Sequence, residues 1–89
     1  MDTEVRHNPD ARRFEIPTGR SLAVCDYIEA GGELVLTHTF VPPEARGGGL
    51  AGRLVDAAVA YADERKLRIV PVCSYVAAHL RRRERRNAS

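Results

Sequence analysis

The stretch Arg46-Gly47-Gly48-Gly49-Leu50-Ala51-Gly52 decides how this chain is read. An extended, β-branched run ending at Val41-Pro42-Pro43 precedes it, and a long alanine-rich run ending near Lys66 follows. Three consecutive glycines leave main-chain N–H groups unshielded and permit positive φ. Helical periodicity begins directly after them, so those N–H groups fall at a helix N-terminus. Unsatisfied donors and the positive end of the helix dipole coincide there, which makes an anion site. Arg46 adds a full charge with a donor fork suited to phosphate. The stretch therefore reads as a pyrophosphate cradle. Two plainer readings compete with it: a flexible linker, or merely the turn between a strand and a helix. Neither flank is long enough to own a core, and the strand–turn–helix setting is what such a glycine motif requires. A Walker A loop is excluded, because no Gly-Lys-Ser/Thr follows. The dinucleotide fingerprint fits poorly, because the glycines are contiguous and no acidic residue stands at the expected later strand end.

Working back from the cradle, Glu33 to Val41 is the most strand-like run in the chain. Leu34, Leu36, His38 and Phe40 alternate with Val35, Thr37, Thr39 and Val41, which predicts a central strand covered on both faces. Gly31-Gly32 predicts a hairpin to a strand over residues 21–30. Arg12 to Pro17 alternates as a half-buried strand, and Val5 to Asn8 reads as a short first strand. Working forward, Leu50, Leu54, Ala57, Ala58 and Tyr61 recur at helical spacing, predicting a helix over about 49–66. Leu67 to Val72 reads as a strand with Pro71 near its end. Ser74 is a good N-cap for a last helix through Leu80, which runs out into arginines. The order is β-β-β-β-α-β-α, an α/β (α+β) mixed sheet. A right-handed crossover makes the last two strands parallel. Residues 1–80 read as one domain and 81–89 as a basic, frayed tail.

Eighty-nine residues support one two-layer core at most. A hydrophobic share of 44% with 29% charged residues belongs to an ordinary globular domain. No run reaches the ~20 apolar residues that span a bilayer, and Met1-Asp2-Thr3-Glu4 carries no signal region, so a cytoplasmic location is expected. Cys25 and Cys73 lack metal-ligand spacing and read as free thiols. The net charge of +2 hides an asymmetry: five arginines against Glu84 give +4 over residues 79–89, leaving −2 for the rest. A basic tail on a mildly acidic body argues against a whole-domain nucleic-acid binder.

Thr37-His38-Thr39-Phe40-Val41-Pro42, Arg46-Gly47-Gly48-Gly49-Leu50-Ala51 and Val70-Pro71-Val72-Cys73-Ser74-Tyr75-Val76 together resemble the small, single-domain GNAT-type N-acetyltransferases. Arg46-x-x-Gly49-x-Ala51 matches that superfamily's Gln/Arg-x-x-Gly-x-Gly/Ala pyrophosphate motif. The resemblance covers about Arg12 to Leu80. It implies acetyl-CoA lying between two splayed strands, here Glu33–Val41 and Leu67–Val72. Main chain of Phe40 and Val41 would hold the pantetheine. Amides of Gly47, Gly48, Gly49, Leu50, Ala51 and Gly52 would hold the pyrophosphate, and Ser74 would lie beside the cofactor. The two helices that larger members insert after the first strand are missing here, since Ile16 and Leu22 are separated by a tight turn. The Arg82-Arg83-Glu84-Arg85-Arg86 run departs from the subfamily, which places a proline and an aromatic after the last helix.

Acetyl transfer from a thioester needs a neutral nucleophile, a base and a donor for the leaving thiolate. Cys73 follows a strand and starts a helix, where the dipole lowers a thiol pKa. It reads as an acetyl acceptor, as a lining of the thioester pocket, or as a small buried hydrophobe. Cys25, mid-strand, reads as packing. His38 has the chemistry of a base near neutrality, although its face, shared with Leu34, Leu36 and Phe40, favours a core histidine. Tyr75 reads as the thiolate's donor or as an aromatic packing the last helix. His79 reads as a surface residue. The arginine tail suits the negative pole of a helix, or the 3′-phosphate of CoA, an acidic partner or RNA, although no aromatic platform accompanies it for base stacking. Two functions of different class follow. One is an acetyl-CoA-dependent N-acetyltransferase acting on a primary amine of a small molecule or protein. The other is a non-catalytic module that binds CoA or an acidic partner through the tail.

Overall fold

A computed structural model describes residues 4–87. Five strands and two helices follow in the order β1 (Arg6–Asn8), β2 (Arg13–Thr18), β3 (Ser21–Ala30), β4 (Glu33–Phe40), α1 (Leu50–Arg65), β5 (Arg68–Pro71) and α2 (Ser74–Asn87). The strands lie side by side in chain order, β1-β2-β3-β4-β5. The first three pairings are antiparallel, and β4 with β5 is parallel, as a strand–helix–strand crossover demands. The mixed sheet and the element order are those expected from the sequence.

Local chemistry explains the joints. Ala30 pairs with Glu33 across Gly31 and Gly32, whose φ values of 59° and 78° are both positive. A two-residue hairpin with that geometry matches the sheet's twist and favours glycine at both central positions. At the far end of α1, Lys66 is left-handed. Its N–H reaches Asp63 O, and Leu67 N–H reaches Ala62 O at 2.8 Å. These two bonds close a Schellman cap that turns the chain into β5.

One face of the sheet carries the core. Phe14 and Ile16 of β2, Ala23, Cys25 and Tyr27 of β3, and Leu34 and Leu36 of β4 are buried against Leu54, Val55, Ala58 and Ala62 of α1 and Val76 of α2. The spacing 54, 55, 58, 62 is one helical stripe, and the strand residues alternate with period two. Among the described residues no helix lies on the opposite face, and Ile28 and Phe40 stand 50% and 40% exposed. The expectation that β4 is covered on both sides is therefore corrected. Both helices are spent on the same face, and Val35 is left half-buried.

The last helix is longer than its apolar residues suggested. It continues through Asn87, so residues 81–87 are helical where a frayed tail was expected; residues 1–3, 88 and 89 of the two expected segments lie outside the described residues. Arginine is a good helix former, and Arg83 Nε reaches Asp56 Oδ1 of α1 at 3.3 Å, which ties the extension back to the body.

Candidate functional site

β4 changes character at Thr37. Leu36 lies opposite Tyr27 of β3, and His38 lies opposite Asp26, so Thr37 is one residue too many. Its hydroxyl donates to Asp26 O at 3.3 Å across this bulge. An extra residue reverses the side-chain parity of everything beyond it. Thr39 and Val41 consequently turn toward the core face, while His38 and Phe40 turn out onto the uncovered one. The shared face of Leu34, Leu36, His38 and Phe40, and with it the core-histidine reading of His38, is corrected accordingly. The same reversal acts on the main chain. Leu36 directs its carbonyl at β5, and past the bulge it is Thr39 and Val41, not Phe40, whose main-chain groups face that way.

Those groups meet no strand. The β4–β5 ladder runs from Glu33↔Arg68 to Leu36↔Pro71 and stops. Leu36 O then receives the N–H groups of both Val72 and Cys73 at 3.2 Å, which swings the chain away from β4 into α2. The two strands thus part beyond Leu36, leaving a wedge between Thr37–Val41 and the start of α2.

Cys73 stands at the apex of the wedge, half-buried. Burial pushes its thiol up, but the N–H groups of Val76 and Tyr75, followed by the hydroxyl and N–H of Thr39, outweigh burial, and the net shift is downward. A thiol ringed by amide donors at a helix start is inclined toward the thiolate. Cys25 lies on the other side of Thr39, whose hydroxyl is 3.9 Å from its sulfur. Complete burial drives the Cys25 thiol up to about 11. The two cysteines therefore differ in setting, one inclined toward the thiolate and one away from it.

The glycine stretch closes the open end of the wedge. After Phe40, a single turn (Pro43–Ala45) leads to Arg46, whose Nε donates to Val41 O at 3.0 Å and pins the loop to the end of β4. Gly47 and Gly49 have φ of 90° and 76°, and a Cβ at either would meet nothing within 4 Å. The space a side chain would fill stands open in front of the first turn of α1. Gly49 is the N-cap of that helix and offers no side chain to its amides. Leu50, Ala51 and Gly52 follow in the first turn, so the donors expected for an anion are brought together.

α2 flanks the wedge. Ser74 is its first residue and exposed, and Tyr75 is 37% exposed, stacked on His79 at 6.0 Å with 14° between the rings. His79, read from the sequence as a surface residue, is only 8% exposed. Its Nε2 lies 2.9 Å from Asp56 Oδ1, and its ring closes on Gly52, where an added Cβ would come within 3.0 Å of Cε1. The absence of a side chain at 52 lets α2 approach the head of α1. The expected cofactor residues 46–52, Val41 and Ser74 thus surround one wedge, together with Cys73 and Tyr75. His38 is exposed on the uncovered face, beside the bulge. Thr39 and His79 were not singled out from the sequence; the four-residue spacing of Tyr75 and His79 was the available sign of a shared helix face. Among the described residues no group of three His, Cys, Asp or Glu is arranged to hold a metal, and no helix is long and apolar enough to cross a membrane.

Comparison with known proteins agrees with this fold. The family model for GCN5-related N-acetyl-transferase matches residues 13–88. The chain is also similar to the NMR solution structure of a GCN5-like protein from Staphylococcus aureus, at 27% identity with a TM-score of 0.74. That match covers 93% of this chain and 82% of the other.

Proposed function

The chain belongs to the GCN5-related N-acetyltransferase family, and from that premise we propose that it transfers an acetyl group from acetyl-CoA to a primary amine, with the thioester held beside Cys73. The observation that carries this reading is the parting of β4 from β5 at Leu36, with the glycine head of α1 at the open end of the gap. An extended ligand laid along β4 finds main-chain groups of Thr39 and Val41 that no strand pairs, with Val41 O already held by Arg46 and Thr39 N–H by Cys73, and anion donors beyond them. The vacant Cβ positions of Gly47 and Gly49 leave room for a diphosphate.

Acetyl-CoA supplies the acetyl group as an activated thioester; the chain's own residues position it and manage protons. Amides of residues 47–52 hold the diphosphate, and the fork of Arg46, anchored through Nε, presents its remaining N–H groups to it. The main chain of Thr39 and Val41 holds the pantetheine in the manner of an added strand, a contact that the Thr37 bulge transfers from Phe40 to Thr39. Since α1 and α2 cover the core face, the amine arrives from the uncovered face, where His38 stands exposed opposite Asp26. His38 takes the proton that the amine sheds as its nitrogen bonds the carbonyl carbon and the carbon–sulfur bond breaks. Tyr75, beside Cys73 on the first turn of α2, returns a proton to the departing sulfur. The acceptor is a small molecule or a protein amine, since the uncovered face admits either.

Calorimetric titration with acetyl-CoA tests the reading directly. Micromolar binding is expected, and no heat at high micromolar ligand overturns it. Intact-mass measurement after incubation with acetyl-CoA then assigns the role of Cys73. An acetyl adduct that disappears in Cys73→Ala routes the group through the thiol, whereas turnover of an amine without an adduct leaves Cys73 as a wall of the thioester pocket.

A further inference from the structure

We infer that a cleft between the head of α1 and the outer half of α2 is a phosphomonoester site, and that it takes the 3′-phosphate of the CoA adenosine. The inference rests on the acetyl-CoA reading above and extends it from the glycine cradle to the arginines beside it, which that reading leaves unused. The cleft, of about 560 Å3, is bounded by Gly49 at the head of α1, by Gly52, Arg53 and Asp56 within it, and by His79, Arg82 and Arg85 of α2.

Its charge is out of place for the helices alone. Arg53 lies in the opening turns of α1, its N–H bonded to Gly49 O, and α1 has no acidic residue in its first turn. A cation there opposes the helix dipole. Arg82 and Arg85 are three apart on α2, a spacing at which like charges repel. Asp56, the cleft's carboxylate, is already engaged by His79 Nε2 at 2.9 Å and Arg83 Nε at 3.3 Å. Its charge is thus offset by Arg83, and Arg53, Arg82 and Arg85 line the opening together. The guanidinium of Arg82 is held over the Tyr75 ring at 5.9 Å, which fixes it before any ligand arrives. Three guanidinium groups from two helices, converging next to the glycine cradle, suit a dianion with several acceptor oxygens. On CoA, the group with that chemistry nearest the diphosphate is the ribose 3′-phosphate.

The experiment compares CoA with 3′-dephospho-CoA by calorimetry, on the native chain and on Arg53→Gln/Arg85→Gln, which spares Tyr75 and the glycines. The native chain should prefer CoA by about tenfold, the effect of one charge-assisted contact at a half-solvated site. That preference should shrink as salt is raised. The double variant should lose the preference while keeping its affinity for dephospho-CoA, which also shows that it has folded. Equal affinity of the native chain for the two ligands overturns the inference, as does a variant that keeps the tenfold ratio. Binding of neither ligand overturns the acetyl-CoA reading itself, and is distinguished by the silence of the dephospho-CoA arm.

Discussion

Replacing Gly49 separates what the fold requires at the head of α1 from what a ligand requires. The residue has φ 76° and ψ 14°, and a Cβ there would touch nothing within 4 Å. Gly49→Ala therefore creates no clash, and its cost is that of an L-residue in the left-handed region, ~1–2 kcal/mol. Alanine also restricts the unfolded chain, which returns ~0.4–1 kcal/mol. The net loss is about 1 kcal/mol, which for a domain of this size lowers Tm by ~4–8 °C. Asparagine enters the left-handed region more readily, so Gly49→Asn should melt between Gly49→Ala and the native chain. Both side chains would occupy the space in front of the first-turn amides. Acetyl-CoA affinity should accordingly fall about tenfold or more in each, the loss of at least one charge-assisted contact. Thermal unfolding followed by circular dichroism and titration calorimetry read the two effects separately. A Gly49→Ala chain that melts with the native one refutes the backbone argument. A folded Gly49→Asn chain that binds acetyl-CoA at native strength refutes the cradle.

The two thiols should differ sharply in reactivity: at pH 8 about one in a thousand Cys25 side chains is ionised at a pKa of about 11, and Cys25 is wholly buried. Iodoacetamide should label Cys73 alone in the folded protein and Cys25 only in denaturant; equal rates in the native state would overturn that assignment. His7 stacks on Phe14 at 4.4 Å, and its pKa is lowered, first by burial, with Glu29 opposing and Arg65 assisting. The unfolded chain then binds the extra proton, so this contribution to stability is full above the ordinary value of 6.5 and is lost as pH falls through the lowered one. Tm should decline between pH 7 and pH 5, less steeply in His7→Gln, and an unchanged slope in that variant would remove His7 as the cause.

The head of α1 was legible in the sequence because its determinants are local: glycines for positive φ, prolines to end β4, and a periodic stripe after them. The strands of the first hairpins were legible for the same reason. The parity of β4 beyond Leu36 was not. Thr37 is a β-branched residue in an unbroken alternation, and nothing about it locally marks it as extra; only the ladder with β3 does. The faces of His38 and Phe40 were misread as a direct result. His79 was misread because its partners, Asp56 and Gly52, lie on another helix more than twenty residues away. The arginine run was taken as a tail because charge alone does not distinguish a fraying end from a helix tied by Arg83 to Asp56. Cys73 was legible as a candidate because a strand end followed by a helix start is visible in the chain, whereas the Thr39 contact that completes its setting is not.

The bulge also means that β4 carries one residue that its pairing with β3 does not need. Deleting Thr37 would leave Leu36 and His38 consecutive opposite Tyr27 and Asp26, so the ladder with β3 would run on unbroken while His38 and Phe40 kept the uncovered face. Loss of that one codon should therefore flatten the local twist of the strand and leave its two faces as they are.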